Sequence, residues 1–160
     1  MIDPKRLYEE DFVLWSKDQA EALREAARGG SNRPLDWANL AEEIDDLGAA
    51  QRSMLRSQLR RIIRHLVKLE HSRATDPRRG REEPISDARA EIEDLLETSP
   101  SLARELERSL VPQTKRAIEL AIGDLQRHGE ADGLDLTRIR SLSYPKEQVL
   151  GDWFPSEPRG

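Results

Sequence analysis

Apolar residues recur along most of the chain at intervals of three and four, the spacing of one face of an α-helix. The clearest case runs from about residue 49 to residue 71, where the intervals follow a 4-3-4-3 pattern typical of helices packed nearly antiparallel. Its apolar positions are Leu55, Leu59, Ile62, Leu66 and Leu69. This pattern predicts a long amphipathic helix here, and weaker versions of it predict four more.

Residues that start or stop helices delimit the other segments. Asp or Ser before an early Pro predicts a start, because the side chain caps free backbone N–H groups and Pro fits the first turn. Gly and a late Pro predict ends or kinks. The predicted limits are Asp3-Pro4 to Gly29-Gly30 for the first helix, Asp36 to Gly48 for the second, Pro84 for the start of the fourth, Ser99-Pro100 for the start of the fifth, Pro112 for a kink or split in the fifth, and Pro145 for a final short helix.

In the first and second predicted helices, the spacing of the apolar residues predicts which face points into the core. Each face contains aromatic residues, which gain most from burial. The predicted inward face of the first helix consists of Tyr8, Phe12, Trp15, Gln19, Leu23 and Ala26. That of the second helix consists of Trp37, Leu40, Ile44 and Leu47.

The composition predicts an all-α fold. Leu, Ala, Glu and Arg are frequent and Val is scarce, which favours helices over strands. For 160 residues we expect a single domain spanning 1–160, built as a compact bundle of five to six helices. All seven aromatic residues lie before residue 38 or after residue 143, and large rings need partners to be buried. We therefore expect the C-terminal tail to fold back on the first helix.

Composition also excludes several classes of protein. The longest apolar run, residues 12–15, is far shorter than the roughly 20 residues of a membrane-spanning helix, and no export signal is visible. The absence of cysteine excludes disulfides, thiolate nucleophiles and Cys-ligated metals, and it fits a reducing compartment. We expect a cytoplasmic protein that does not associate with a membrane.

Four polar residues form the first candidate site: Asp11, Glu43, His65 and Arg89. Each lies roughly 60–100° from the centre of the apolar face of its helix, at the edge of the core. One interpretation is a shared polar pocket in which carboxylates, an imidazole and a guanidinium act as acid, base and anion-binding group. The interpretation that we favour is a set of hydrogen bonds and ion pairs that fix the register of the helices.

The histidine spacing does not predict a metal site, and we expect no metal and no cofactor. A di-iron bundle needs Glu three residues before His, but Ile62, Lys68 and Leu125 occupy those positions. His65 and His71 are six residues apart, on different faces of one helix. Phosphate-binding glycine loops and a serine-hydrolase elbow are also missing from the sequence.

A row of cations recurs every fourth residue along the third helix and is here called the basic ridge. Its members are Arg52, Arg56, Arg60, Arg64 and Lys68. The following segment, residues 72–83, is also rich in Arg and is predicted to be a surface loop. Together they could contact the phosphates of a nucleic acid. The chain is acidic overall, with a net charge of −5, and no aromatic residue interrupts the ridge, so we expect acidic neighbours to neutralise it.

Six short motifs resemble the bacterial proteins grouped as domain of unknown function 29, abundant in cyanobacteria. The motifs are Tyr8-x-x-Asp11-Phe12-x-x-Trp15, Asp36-x-x-Asn39-Leu40-x-Glu42-Glu43-Ile44, His65-Leu66-x-Lys68, Ile85-x-x-x-Arg89-x-x-Ile92, Ser99-Pro100-Ser101-Leu102 and Tyr144-x-x-Glu147-Gln148-x-Leu150. Arg81 stands where members usually have Trp, and Pro145 where Ser or Thr is common. The resemblance implies a small all-helical bacterial protein and no established activity.

These observations give three hypotheses for function. The first is a noncatalytic binding or assembly module, acting with a protein partner or as a homo-oligomer. The second is a nucleic-acid-associated or regulatory protein that uses the Arg-rich helix 52–68 and the loop 72–83. The third is an enzyme with the four polar residues as its site, and we expect the protein not to be one.

Overall fold

The computed structural model describes residues 2–30, 34–74 and 76–158, of which 76% are helical. No strand occurs in these ranges, so the predicted all-α fold is confirmed. None of the helices found there is both long and apolar enough to cross a membrane. The helices in the described ranges are α1 Pro4–Glu10, α2 Phe12–Arg28, α3 Trp37–His71, α4 Arg78–Thr98, α5 Leu102–Arg127, α6 Leu136–Arg140 and α7 Lys146–Leu150.

The chain divides into two compact units, each made of two segments. The first unit comprises Met1–Leu55 and Asp94–Glu105, and the second comprises Arg56–Glu93 and Leu106–Gly160. The second unit contains most of the fully buried side chains, from the 4-3-4-3 pattern of α3 and from the apolar faces of α4 and α5. They include Leu59, Ile62, Leu66, Ile85, Ile118 and Leu125. The single domain expected from the sequence stays a prediction.

The first predicted helix is in fact two helices, because the backbone is extended at Asp11. Asp11 ends α1 and caps α2, with Oδ1 accepting from the backbone N–H of Leu14 at 2.9 Å. The break separates Tyr8 from the residues of α2, and the buried face of α2 is displaced by one residue from the predicted face. The predicted α2 residues Phe12, Trp15, Gln19 and Leu23 are therefore only half-buried, and Ala26 is exposed. Tyr8 is 52% exposed and packs edge-to-face with Phe12 and Trp15. The buried residues of α1 and α2 are Leu7, Val13, Ser16 and Ala20.

The helix predicted to stop or kink at Gly48 continues through it as part of α3. A Cβ at Gly48 would collide with Oγ of Ser16, so this glycine allows α2 and α3 to approach closely within the first unit. The close approach selects a different inward face from the predicted one. Leu40 and Leu47 are 41% and 48% exposed, whereas Ala41 and Gly48 are buried.

The predicted basic loop 72–83 is wrong in its second half, because α4 already begins at Arg78. Pro84, which was expected to open this helix, lies in its second turn. There it cannot donate to the carbonyl of Gly80, as a helix requires. The ion pair between Arg78 and Glu82 at 3.0 Å, one turn apart, stabilises the early start.

A second internal proline is also accommodated. Of the predicted kink or split at Pro112, the split is wrong, since α5 runs unbroken through it, and the kink stays a prediction. Thr114 bonds to the same helix by donating its hydroxyl to the carbonyl of Leu110 at 2.7 Å. The short helix expected after Pro145 is confirmed as α7.

The C-terminal tail is held within the second unit by polar contacts. Tyr144 donates its hydroxyl to Oε2 of Glu70 at 2.9 Å, and its ring lies 6.4 Å from that of Trp153. The guanidinium of Arg78 donates to the carbonyl of Pro155. Burial, followed by the charge of Glu70, raises the pKa of Tyr144, which keeps the hydroxyl protonated as a donor. The packing of the tail on the first helix stays a prediction.

Candidate functional site

A cavity of about 270 Å³ lies in the second unit. Four parts of the chain line it: the last turns of α3, the segment that follows, the first turns of α4, and the end of α5 with the residues after it. Its charged and polar lining residues are His65, Lys68, Ser72, Asp76, Arg81, Asp124, His128 and Glu130. Apolar surface makes up the larger part of the lining. This cavity is called the α3–α5 cavity below.

Asp124 is the most connected charge of the cavity. Its side chain is 6% exposed, and both carboxylate oxygens accept from the guanidinium of Arg64, at 2.6 and 2.7 Å. The ammonium of Lys68 lies 3.3 Å from Oδ2, and Arg127 pairs with Oδ1. The hydrogen bonds from Arg64, together with the charge of Lys68, hold the pKa of Asp124 well below its usual range despite burial. The carboxylate is therefore ionised and fully committed to these partners.

His65 contributes a neutral imidazole. Burial, followed by the charges of Lys68, Arg61 and Arg64, lowers its pKa to about 4, which outweighs the opposite effect of Asp124. Neutral imidazole carries one N–H donor and one acceptor nitrogen. At neutral pH, His65 therefore adds hydrogen-bonding capacity to the cavity without adding charge.

Ser72 and Glu130 close one side of the cavity. The hydroxyl of Ser72 donates to Oε2 of Glu130 and accepts from the backbone N–H of Ala74 at 3.1 Å. The same carboxylate oxygen accepts from the backbone N–H of Arg73 at 3.1 Å. The hydroxyl of Ser72 and the backbone N–H of Arg73 donate to the same oxygen of Glu130. Ser72 therefore has a structural role in ordering the chain that follows α3.

Arg81 differs from the other charged residues of the cavity. Its Nε and Nη1 are buried and have no hydrogen-bond partner among the described residues. Arg78, one turn earlier, pairs with Glu82, but the residue one turn after Arg81 is Ile85. An unpaired buried guanidinium is costly, because its N–H donors lose their hydration without gaining acceptors.

The first pair of sequence-predicted residues, Asp11 and Glu43, lies in the first unit. Asp11 is buried, and besides capping α2 it accepts from the backbone N–H and the hydroxyl of Ser101, at 2.6 and 2.9 Å. Glu43 is exposed on α3. Asp11 thus joins the start of α2 to the start of α5, which is the register-fixing role expected for such a residue.

The second pair, His65 and Arg89, lies in the second unit, but Arg89 does not line the cavity that His65 lines. The guanidinium of Arg89 donates to the carbonyls of Val149, Gln148 and Trp153 at 2.9, 2.8 and 2.7 Å. Its Cζ also lies 4.8 Å from the centre of the Phe154 ring. Arg89 therefore binds the C-terminal tail.

The basic ridge is largely used inside the second unit. Arg60 donates to Oε1 of Gln113 at 2.8 Å, and Arg64 and Lys68 pair with Asp124. The partners come from α5 rather than from the acidic segments that flank the ridge in sequence. Arg52 and Arg56 are half-buried. Cations bound to internal acceptors are less available to phosphates.

The described residues contain no group of three or more His, Asp or Glu positioned to hold a metal ion. Two carboxylates that line the cavity with His65 are engaged otherwise: Asp124 binds cations, and Glu130 accepts from a hydroxyl and a backbone N–H.

Asp124 is a site residue that helical spacing could reveal. It follows Gln113, Ala117 and Ala121 at intervals of four, four and three, and all four residues are buried on one face of α5. A carboxylate on a buried face requires a donor partner, and the ridge supplies one. Arg81 carries no comparable signal, because an Arg in a basic segment is usually solvated.

Comparisons with known proteins agree with this fold. The chain is similar to a solved alpha-helical protein of unknown function from Rhodospirillum rubrum ATCC 11170, with 25% sequence identity and a TM-score of 0.68 over 91% of this chain and 89% of that one. No curated protein matches the sequence. The family model described as domain of unknown function DUF29 matches residues 7–153. The chain therefore belongs to the DUF29 family.

Proposed function

We propose that the protein is a noncatalytic binding module and that the α3–α5 cavity is its binding site. The observation that supports this function is a cavity whose polar lining residues are held by ion pairs and hydrogen bonds from several parts of the chain. Such a preformed cavity is ready to bind a ligand without reorganising. The lack of cysteine fits a cytoplasmic setting for it.

Binding is favoured over catalysis because the reactive groups are engaged elsewhere. Asp124 is ionised and paired with cations, so it is a weak base. The hydroxyl of Ser72 donates to Oε2 of Glu130, and the same oxygen accepts from the backbone N–H of Arg73, so both side chains are held in a network that orders the chain after α3. His65 remains as a neutral hydrogen-bonding group.

A thermal-shift screen of small polar metabolites tests this function. Gly80 lines the cavity and has open space at its Cβ position, so Gly80→Phe places a ring there with little strain on the helix. We expect at least one compound to raise the melting temperature of the wild-type protein and to have no such effect on Gly80→Phe.

The matched control is Gly123→Ala in α5, which lies outside the lining of the cavity. It should respond to the same compounds as the wild type. A library that stabilises the wild type and Gly80→Phe equally, or neither, would contradict the proposed function.

Assembly and nucleic-acid binding stay predictions. Light scattering would show whether the protein is a homo-oligomer. A binding assay with duplex and single-stranded oligonucleotides would test nucleic-acid binding by the basic ridge. Because Arg60, Arg64 and Lys68 are bound internally, we expect at most weak nucleic-acid binding that salt removes.

A further inference from the structure

The guanidinium of Arg81 lies in the lining of the α3–α5 cavity and forms no ion pair with the described residues. Two of its nitrogens are buried, and no described residue supplies an acceptor to them. The neighbouring residues in the helix offer no carboxylate one turn away in either direction, since Pro77 and Ile85 occupy those positions. A buried cation of this kind is stabilised when an anion supplies the missing acceptors.

Two of the three carboxylates that line the cavity are already occupied. Asp124 binds Arg64, Lys68 and Arg127, and Glu130 accepts from Ser72 and from a backbone N–H. The third carboxylate, Asp76, is exposed and forms no hydrogen bond or ion pair with Arg81. No described residue therefore supplies the acceptors that Nε and Nη1 of Arg81 lack.

Other donors lie along the same cavity. Lys68 has three N–H donors, and its ion pair with Asp124 uses one of them. His65, neutral at pH 7, has one N–H to offer. Donors therefore converge on the cavity from α3 and α4.

We propose that the α3–α5 cavity binds a small oxyanion, a phosphate or carboxylate group, with Arg81 as the principal contact and Lys68 as the second. This inference rests on the proposed function and names the ligand class of the same site. A volume of about 270 Å³ is at the low end for ligand pockets, so the ligand is a small metabolite or a single anionic group rather than a nucleotide.

The experiment measures binding of inorganic phosphate and of succinate at constant ionic strength, with chloride as the reference anion. We expect one of the two to raise the melting temperature of the wild type by about 3–6 °C when its concentration reaches about ten times Kd. Arg81→Gln should weaken binding about tenfold or more, and Arg81→Lys should restore part of it. Because the buried guanidinium is unpaired, Arg81→Gln should fold normally, which its helical circular dichroism spectrum checks.

The matched control is Arg79→Gln, which removes the same charge from an exposed position that does not line the cavity. A response that Arg79→Gln keeps and Arg81→Gln loses supports the inference, and the relative effects of phosphate and succinate identify the group. An equal response in Arg81→Gln overturns it, because salts of this kind stabilise many proteins nonspecifically.

The experiments distinguish failure of the oxyanion proposal from failure of the proposed binding function. If neither oxyanion acts but another compound binds in a way that Gly80→Phe abolishes, the inference falls and the proposed function stands. If no compound binds the cavity, both fall.

Discussion

The two units use aspartate in different ways. In the first unit, Asp11 accepts hydrogen bonds from two backbone N–H groups and one hydroxyl, all of them neutral donors. In the second unit, Asp124 accepts from the charged side chains of Arg64, Lys68 and Arg127. Both carboxylates are buried, at 7% and 6% exposure. The first unit therefore depends on an acceptor oxygen at this point, and the second depends on a negative charge.

Other buried or half-buried contacts in each unit show the same difference, although the first unit also has an ion pair between Arg24 and Asp45 at 3.2 Å. Ser99 accepts from the backbone N–H of Val13 at 3.2 Å and donates to Gln51 at 3.1 Å, so it joins three segments of the first unit without charge. In the second unit, the charged guanidinium of Arg89 joins α4 to the tail. The hydroxyl of Tyr144 joins the tail to the charged carboxylate of Glu70 in α3. Charged hydrogen bonds are stronger than neutral ones, but they respond to pH and to loss of the charge.

The largest expected effect follows from removing the charge in the second unit. Asp124→Asn keeps the shape but leaves three cations without their carboxylate, and we expect a loss of about 2 kcal/mol in the free energy of unfolding. The loss is below that of a fully buried pair, because Arg64 and Lys68 are about one-third exposed and can be hydrated. Thermal unfolding should show a melting temperature lower by about 4–8 °C. An unchanged melting temperature would mean that the pairs contribute no net stability.

The matching change in the first unit distinguishes acceptor from charge. Asp11→Ala removes the cap of α2 and the acceptor for Ser101, and we expect it to cost about 1–2 kcal/mol. Asp11→Asn should recover most of this loss, since Asn caps helices as well as Asp does. Urea unfolding of both variants provides the measurement. If Asn is as harmful as Ala, charge also matters in the first unit and the contrast between the units fails.

The smallest expected effect concerns pH. The pKa of His65 is about 4 in the folded protein and about 6.5 in an unfolded chain. Between these values the unfolded chain binds a proton that the folded protein does not, so the free energy of unfolding falls as the pH drops from about 6.5 to 4. His65→Gln removes this contribution, and the variant should lose less stability than the wild type between about pH 7 and pH 5. Parallel curves for the two proteins would show that His65 titrates as it does in an unfolded chain.

The chain's helices were predictable where local residues decide them. The capping Asp36 accepts from the backbone N–H of Asn39 at 3.2 Å, as the sequence indicates, and the short helix follows Pro145 as expected. The errors have different causes. At Gly48 the side chain of Ser16, distant in sequence, explains the glycine, and local sequence signals cannot identify it. At Pro84 the ion pair of Arg78 with Glu82, one turn apart, is a local signal for an early start that the proline outweighed in the prediction.

The sequence by itself determined the helical class, the main core positions of α3 and membership of the family, because periodicity and short motifs depend on residues close together in the chain. Only the tertiary structure decided which polar residues meet. Asp124 lies 60 residues from Arg64, and a charge at one edge of a helix does not specify its partner on another. It also decided that Nε and Nη1 of Arg81 find no acceptor among the described residues, since their burial depends on packing between helices rather than on the order of residues.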